Sequence, residues 1–234
     1  MTIEIYSSKK QHILYDAEHL SQIDATFFQP EYWQKQQRLT EPSGGRGQAF
    51  FIQHPDGKDY LLRHYRRGGL MAKISQDKYW FSGLEESRPW REFHITYQLH
   101  QAGLPVPKPI AARVIQHGLL YQGDLLTLRI PDAHPFAGYL SDNHQVLLWQ
   151  EVGKTIACFH RWGLNHVDLN ANNILVNPEG KVWLIDFDRC KKMPKQGGWQ
   201  EQNLARLYRS VCKLTKAQSI PEELWQALQK GYKS

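Results

Sequence analysis

Hydrophobic and polar positions follow two rhythms along the chain, short and strand-like in the first half and helical in the second. Pro30 in FFQPEYWQKQQ suits the first turn of a short helix. RLTEP then leads through SGGRG into QAFFIQH, the turn signal PDGK and DYLLRHY, which predicts strand, glycine loop, strand, hairpin turn and strand. In SRPWREFHITYQLHQAGL, Pro89 marks a helix start, Phe93 and Tyr97 stand in apolar spacing and Gly103 is the stop. LPVPKPIAARVIQHGLLYQGDLLTLRI follows as a Pro-rich extended connection and two strands.

IPDAHPFAG breaks this pattern and reads as a hinge, so the expected division is 1–130 and 131–234. Beyond it, HQVLLWQEVGKTIACFHRWG carries apolar residues at 147, 148, 152, 156, 159 and 162, a helical stripe suited to the core of a second lobe. NILVN and KVWLI, joined by PEGK, predict a hairpin; QEQNLARLYRSVCKL and PEELWQALQKGY predict two closing helices. The pattern is that of an α+β chain.

Composition narrows the class. With 234 residues, 41% of them hydrophobic and 12% aromatic, the chain can bury a core, which excludes disorder, collagen and coiled coil. Its net charge of +6 favours anionic partners without naming one. Cys158, Cys190 and Cys212 lack metal-ligand spacing and are odd in number, which fits a reducing compartment. MTIEIYSSKKQH has no signal-peptide character and no window is apolar enough to span a bilayer, so the expectation is a protein that stays where ATP is.

Candidate chemistry concentrates in HVDLNANNILVNPEGKVWLIDFD, residues 166–188. A loop there offers His166, Asp168 and Asn173, and the hairpin returns to offer Asp186 and Asp188. Transfer of a phosphoryl group needs a carboxylate facing the acceptor hydroxyl and hard oxygen ligands for Mg2+ on the phosphates. Asp168 suits the first task, and Asn173 with Asp186 the second. His166 reads as a loop organiser, and Asp188 as either a metal assistant or a turn cap. Two other patterns are discarded. GKT at 153–155 lacks the first Walker glycine and sits inside a helix pattern, and Cys158 with His160 lies on an apolar helix where core packing outweighs metal binding.

These residues resemble the protein-kinase-like superfamily: HVDLNANNIL follows the catalytic-loop pattern HxDxxxxN, and IDFD follows DFG with Asp188 in place of glycine. The resemblance implies a bilobal fold, with an N-terminal antiparallel-sheet lobe carrying one helix and a compact, mostly helical C-terminal lobe. It also implies ATP as donor and Mg2+ as cofactor, with ATP between the lobes. Gly44, Gly45 and Gly47 of SGGRG would admit phosphates to backbone amides, and Arg63 stands where the superfamily has a lysine on the α and β phosphates. Glu92 is the chosen partner for Arg63, with Glu85 and Glu86 as alternatives. Val167 replaces the usual arginine, Asn170 replaces a lysine near the γ-phosphate, and only 46 residues follow Asp188, too few for a peptide-binding lobe with an activation segment.

At finer grain, SGGRGQAFFI, YLLRHYRRGGLMAKI, RPWREF, LPVPKPIAARV and HVDLNANNIL with IDFDRC are similar to the bacterial Kdo kinase family, which sits beside the lipopolysaccharide core heptose kinases. That resemblance implies phosphorylation of the 4-hydroxyl of 3-deoxy-D-manno-octulosonic acid (Kdo) on Kdo-lipid A. The implied place is the cytoplasmic face of the inner membrane, with peripheral attachment and no nucleic-acid partner. Arg66 and Arg67 are candidates for the anionic acceptor, or a solvated basic turn. Lys78, Tyr79, Trp80 and Phe81 suit a bilayer interface by composition, but core packing is the preferred reading for Trp80 and Phe81. A kinase for another acceptor (core heptose, small molecule or protein hydroxyl) and a non-catalytic binding module of the same fold stay open.

Overall fold

The computed structural model describes residues 2–40, 49–66, 77–141, 145–194 and 197–234. Gly44, Gly45, Gly47 and Arg67 lie outside them. The chain divides into two compact units, one of residues 1–97 and 107–129, the other of residues 98–106 and 130–234.

The first unit is built on β1 (Ile3–Ser7), β2 (Gln11–Asp16), β3 (Leu39–Thr40), β4 (Ala49–Gln53), β5 (Asp59–His64), β6 (Tyr79–Trp80), β7 (Pro109–His117) and β8 (Leu120–Leu128). Among the described residues these form one antiparallel sheet in the order β1-β2-β7-β8-β5-β4-β3, with β6 paired to β8. Both faces of the sheet are covered, so alternate side chains enter different cores and β7 and β8 are buried along nearly their whole length, the polar Arg113 and Asp124 included. Ile13, Ala111 and Leu126 face Phe28 and Trp33, the latter on α1 (Pro30–Lys35). Leu14, Ala112 and Leu125 face Trp90 and Phe93 of α2 (Arg88–Gln101), whose last residues belong to the second unit. A side chain at Gly123 of β8 would come within 2.3 Å of Pro89 Cγ, so this glycine lets the start of α2 lie directly on the sheet.

Two features depart from the sequence expectation. The strands β1 and β2 were not foreseen, because IEIYS is largely exposed and the polar SSKK turn interrupts the alternation. Trp80 is not a core residue: it is 65% exposed, while its neighbours Tyr79 and Phe81 pack partly against the α2 side of the sheet.

In the second unit, α3 (Val146–Trp162) and α5 (Glu222–Lys233) pack with unusually close backbones. A Cβ at Gly153 would lie 2.0 Å from the Leu228 carbonyl oxygen, and one at Gly231 would lie 1.9 Å from that of Gln150. The glycine of the GKT triplet therefore serves helix packing. Gly163, at φ 97°, ends α3, its N–H donating to the Phe159 and His160 carbonyls. The chain then enters β10 (Leu164–Asn165) and the loop that begins at His166. β9 (His134–Pro135), β11 (Ile174–Val176) and β12 (Val182–Leu184) form a small sheet, β13 (Lys191–Lys192) pairs with β10, and α4 (Trp199–Thr215) supports the loop.

Candidate active site

The hairpin register governs the site. Ile174 pairs with Leu184 and Val176 with Val182, so the residue before β11, Asn173, faces the residue after β12, Ile185. The Ile185 peptide is held from both sides: its N–H donates to the Asn173 carbonyl at 3.1 Å, and its carbonyl accepts from His166 Nε2 at 3.0 Å. Asp186 follows at φ 64°, a left-handed conformation that a non-glycine residue adopts at a cost of about 1 kcal/mol. The clamp on Ile185 thus fixes where the strained turn begins and where the Asp186 carboxylate is carried.

The loop is tied to itself at the Asp168 backbone. Asn170 Nδ2 and Asn173 Nδ2 both donate to the Asp168 carbonyl at 2.9 Å, while the Asn170 side-chain oxygen accepts from the Asn172 N–H. The Asp168 carboxylate is left 58% exposed, 3.7 Å from Arg206 Nη1 of α4. Because Asn173 spends its amide N–H on the loop, its Oδ1 is the atom available as a hard ligand.

His166 is buried and lies against the Phe187 ring. Burial pushes its pKa below the ordinary imidazole range, against the raising pull of the Ile185 carbonyl and of the Asp186 and Asp168 carboxylates. A neutral ring donating through Nε2 is a positioning device for the strand end that carries Asp186. Behind it, Asn203 of α4 accepts from the His166 backbone N–H at 3.0 Å and donates to Asn165 Oδ1 at 2.9 Å. His160 of α3 approaches the same Asn203 oxygen through Nε2 at 3.3 Å and Tyr232 of α5 through Nδ1 at 2.7 Å.

In the first unit, Arg63 on β5 forms an ion pair with Glu92 on α2, which also accepts from the Tyr65 hydroxyl. Glu92 is only 3% exposed, and Arg63 lies 4.8 Å over the Tyr65 ring. Glu85 and Glu86 instead turn to His94 and Arg91 on the surface of α2. Arg66 is exposed.

Sequence reasoning missed Asn203 and Arg206. Asn203 had a signal: Trp199, Asn203, Leu207 and Val211 recur every four residues, so it is a polar residue on the buried stripe of α4. Arg206 had none.

The donor chemistry suits magnesium. A carboxylate and an amide oxygen on adjoining strand ends match the one or two protein ligands this ion takes when phosphates and water complete its shell. Among the described residues no group of three or more His, Cys, Asp or Glu is placed to hold a metal ion.

A sheet-bearing unit in which a half-buried arginine is paired with a buried glutamate, and a second unit with a His-Asp loop beside a hairpin ending in aspartate, define a phosphotransferase of protein-kinase-like fold. In agreement, the solved structure of WaaP in complex with acyl carrier protein superposes with a TM-score of 0.53 at 16% identity, over 83% of this chain and 77% of that one. The chain belongs to the lipopolysaccharide kinase (Kdo/WaaP) family, whose family model matches residues 30–232. It is 42% identical over 236 residues to a 3-deoxy-D-manno-octulosonic acid kinase of Vibrio vulnificus (strain YJ016), covering 99% of both chains. It is 41% identical over 240 residues to the enzyme of that name from Haemophilus influenzae (strain 86-028NP), covering 97% of this chain and 98% of that one.

Proposed function

We propose that this protein transfers the γ-phosphoryl group of ATP to the 4-hydroxyl of the Kdo residue of Kdo-lipid A, working peripherally at the cytoplasmic face of the inner membrane. The acceptor is argued from the names of the full-length relatives. The observation that carries the chemistry is the doubly held Ile185 peptide, which ties the loop of Asp168 and Asn173 to the strand end of Asp186.

In this reading Asp168 orients the acceptor hydroxyl and takes its proton as the new P–O bond forms and the bond to ADP breaks. The exposed carboxylate on a pinned backbone suits that role. Arg206 supplies positive charge beside Asp168, a place that Asn170 cannot fill. Asn173 and Asp186 would hold Mg2+, whose part is to neutralise charge on the phosphates. Arg63, fixed by Glu92 and Tyr65, presents its guanidinium edge to phosphate oxygens as a forked, permanent cation. The small second unit has the residues for phosphoryl transfer to a compact hydroxyl.

Asp168→Asn tests the assignment. Turnover should fall by a factor on the order of a thousand or more, since both positioning and proton acceptance are lost, while ATP affinity stays nearly unchanged. A folded variant that loses nucleotide binding as well would assign Asp168 to the metal or to structure.

A further inference from the structure

One end of the first unit's sheet is neither core nor ordinary surface. The β1–β2 turn, the β7–β8 turn and β6 meet there: Gln116 N–H donates to the Lys10 carbonyl at 2.7 Å, and Phe81 N–H donates to the Leu119 carbonyl at 2.9 Å. Trp80 pairs in register with Leu120, the residue after Leu119, so two large exposed apolar residues stand at this one end of the sheet, Trp80 at 65% and Leu119 at 66% exposure. Isolated exposed apolar residues are common, but two such residues at one end of a rigid frame, with basic residues at the same end, mark an interaction surface. The frame is rigid because Tyr79, next to Trp80, is partly buried, pairs with Tyr121 and lies under the Arg88 guanidinium at 4.8 Å. Lys9 and Lys10 of the β1–β2 turn and Lys78, two residues before Trp80, are exposed. The acidic groups nearest in sequence are engaged elsewhere: Asp77 faces His64 and Gln122, and Glu85 and Glu86 face His94 and Arg91.

We propose that this sheet end is the surface by which the protein docks on an anionic lipid bilayer, with Trp80 and Leu119 entering the interface and Lys9, Lys10 and Lys78 meeting the headgroups. The inference rests on the reading that the acceptor is membrane-borne and names the surface that meets the membrane. Tryptophan suits the boundary because its ring is apolar and its N–H can stay wet. Lysine stems lie along apolar surface while their ammonium groups reach phosphate. The combination of an apolar wedge and a cationic surround fits an anionic bilayer better than a second copy of this chain, whose matching surface would be equally basic.

The test is flotation of the full-length protein with vesicles of phosphatidylcholine alone and of phosphatidylcholine mixed with phosphatidylglycerol. Wild type should bind the mixed vesicles and not the neutral ones. Trp80→Ser with Leu119→Ser should weaken binding about tenfold or more, at unchanged melting temperature. Lys9→Gln, Lys10→Gln and Lys78→Gln together should weaken it on the order of a hundredfold, about fivefold for each lysine, and remove its salt dependence. Both variants should phosphorylate detergent-dispersed acceptor like wild type. Vesicle binding untouched by either set of substitutions would overturn the proposal, as would a change in oligomeric state on Trp80→Ser with no change on vesicles. Wild type that binds vesicles yet transfers no phosphate would remove the kinase reading and leave this one standing.

Discussion

Acid should destabilise the second unit through one buried ring, His160. This imidazole is 6% exposed and lies between Tyr232 and Asn203. Burial pushes its pKa from 6.5 down to about 4, with His166 adding to the depression and the Asn203 hydrogen bond opposing it. The folded state therefore holds His160 neutral through a range in which the unfolded chain takes up a proton. Its contribution is intact above pH 6.5 and is lost as pH falls toward about 4. The size is roughly 3 kcal/mol, the gap between 6.5 and about 4 at 1.36 kcal/mol per pH unit. That is a large share of a typical net stability of about 5–15 kcal/mol. His166, also depressed by burial, acts in the same direction. Urea unfolding of wild type and His160→Gln from about pH 8 to about pH 4 isolates the effect, because glutamine does not titrate. Wild-type stability should fall more steeply, the two curves converging by about 3 kcal/mol across the range. Curves that run parallel to within about 0.5 kcal/mol would refute the reasoning.

Other substitutions probe the supports of the site. Gly231→Ala should lower the melting temperature by roughly 5–10 °C, since overpacking against the Gln150 carbonyl outweighs the gain of about 1 kcal/mol in helix propensity; an unchanged melting temperature would contradict the close packing of α3 and α5. Asn203→Leu leaves the buried His166 N–H without an acceptor and should cost about 1–3 kcal/mol in urea unfolding, with kcat falling more than KM rises. Retention of both full stability and full kcat would show that the loop does not depend on this anchor. Glu92→Gln removes the charge that holds Arg63 and should weaken ATP binding about tenfold, read by nucleotide titration, with little change in turnover at saturating ATP.

The loop and hairpin were legible in the sequence because their geometry is local. Asn173 and Asp186 are brought alongside by a hairpin whose register depends on the PEGK turn and two short apolar runs. Glu92 was the sequence's choice for Arg63, but setting aside Glu85 and Glu86 needed the structure, because all three are near the start of α2 and only burial separates them. Arg206 reaches Asp168 across a loop, a hairpin and a helix, a long-range approach that leaves no trace in spacing. The same holds for Trp80. An aromatic residue in a two-residue strand carries no sign of which way it faces, and here the neighbours Tyr79 and Phe81 take the covered side. The helical stripe of α3 holds at Val152, Ile156 and Phe159 but not at its start, where Leu147 is 81% exposed and Trp149 is the buried residue, and the reason for Gly153 within it became visible only with α5 in place.

The most direct measurement is mass analysis of Kdo-lipid A after incubation with the purified protein, ATP and Mg2+, with fragmentation to locate any added group. The account predicts a product heavier by one phosphate, borne on the Kdo ring and absent when Asp168→Asn replaces wild type. No product from the folded wild-type protein, or equal product from the variant, would contradict it.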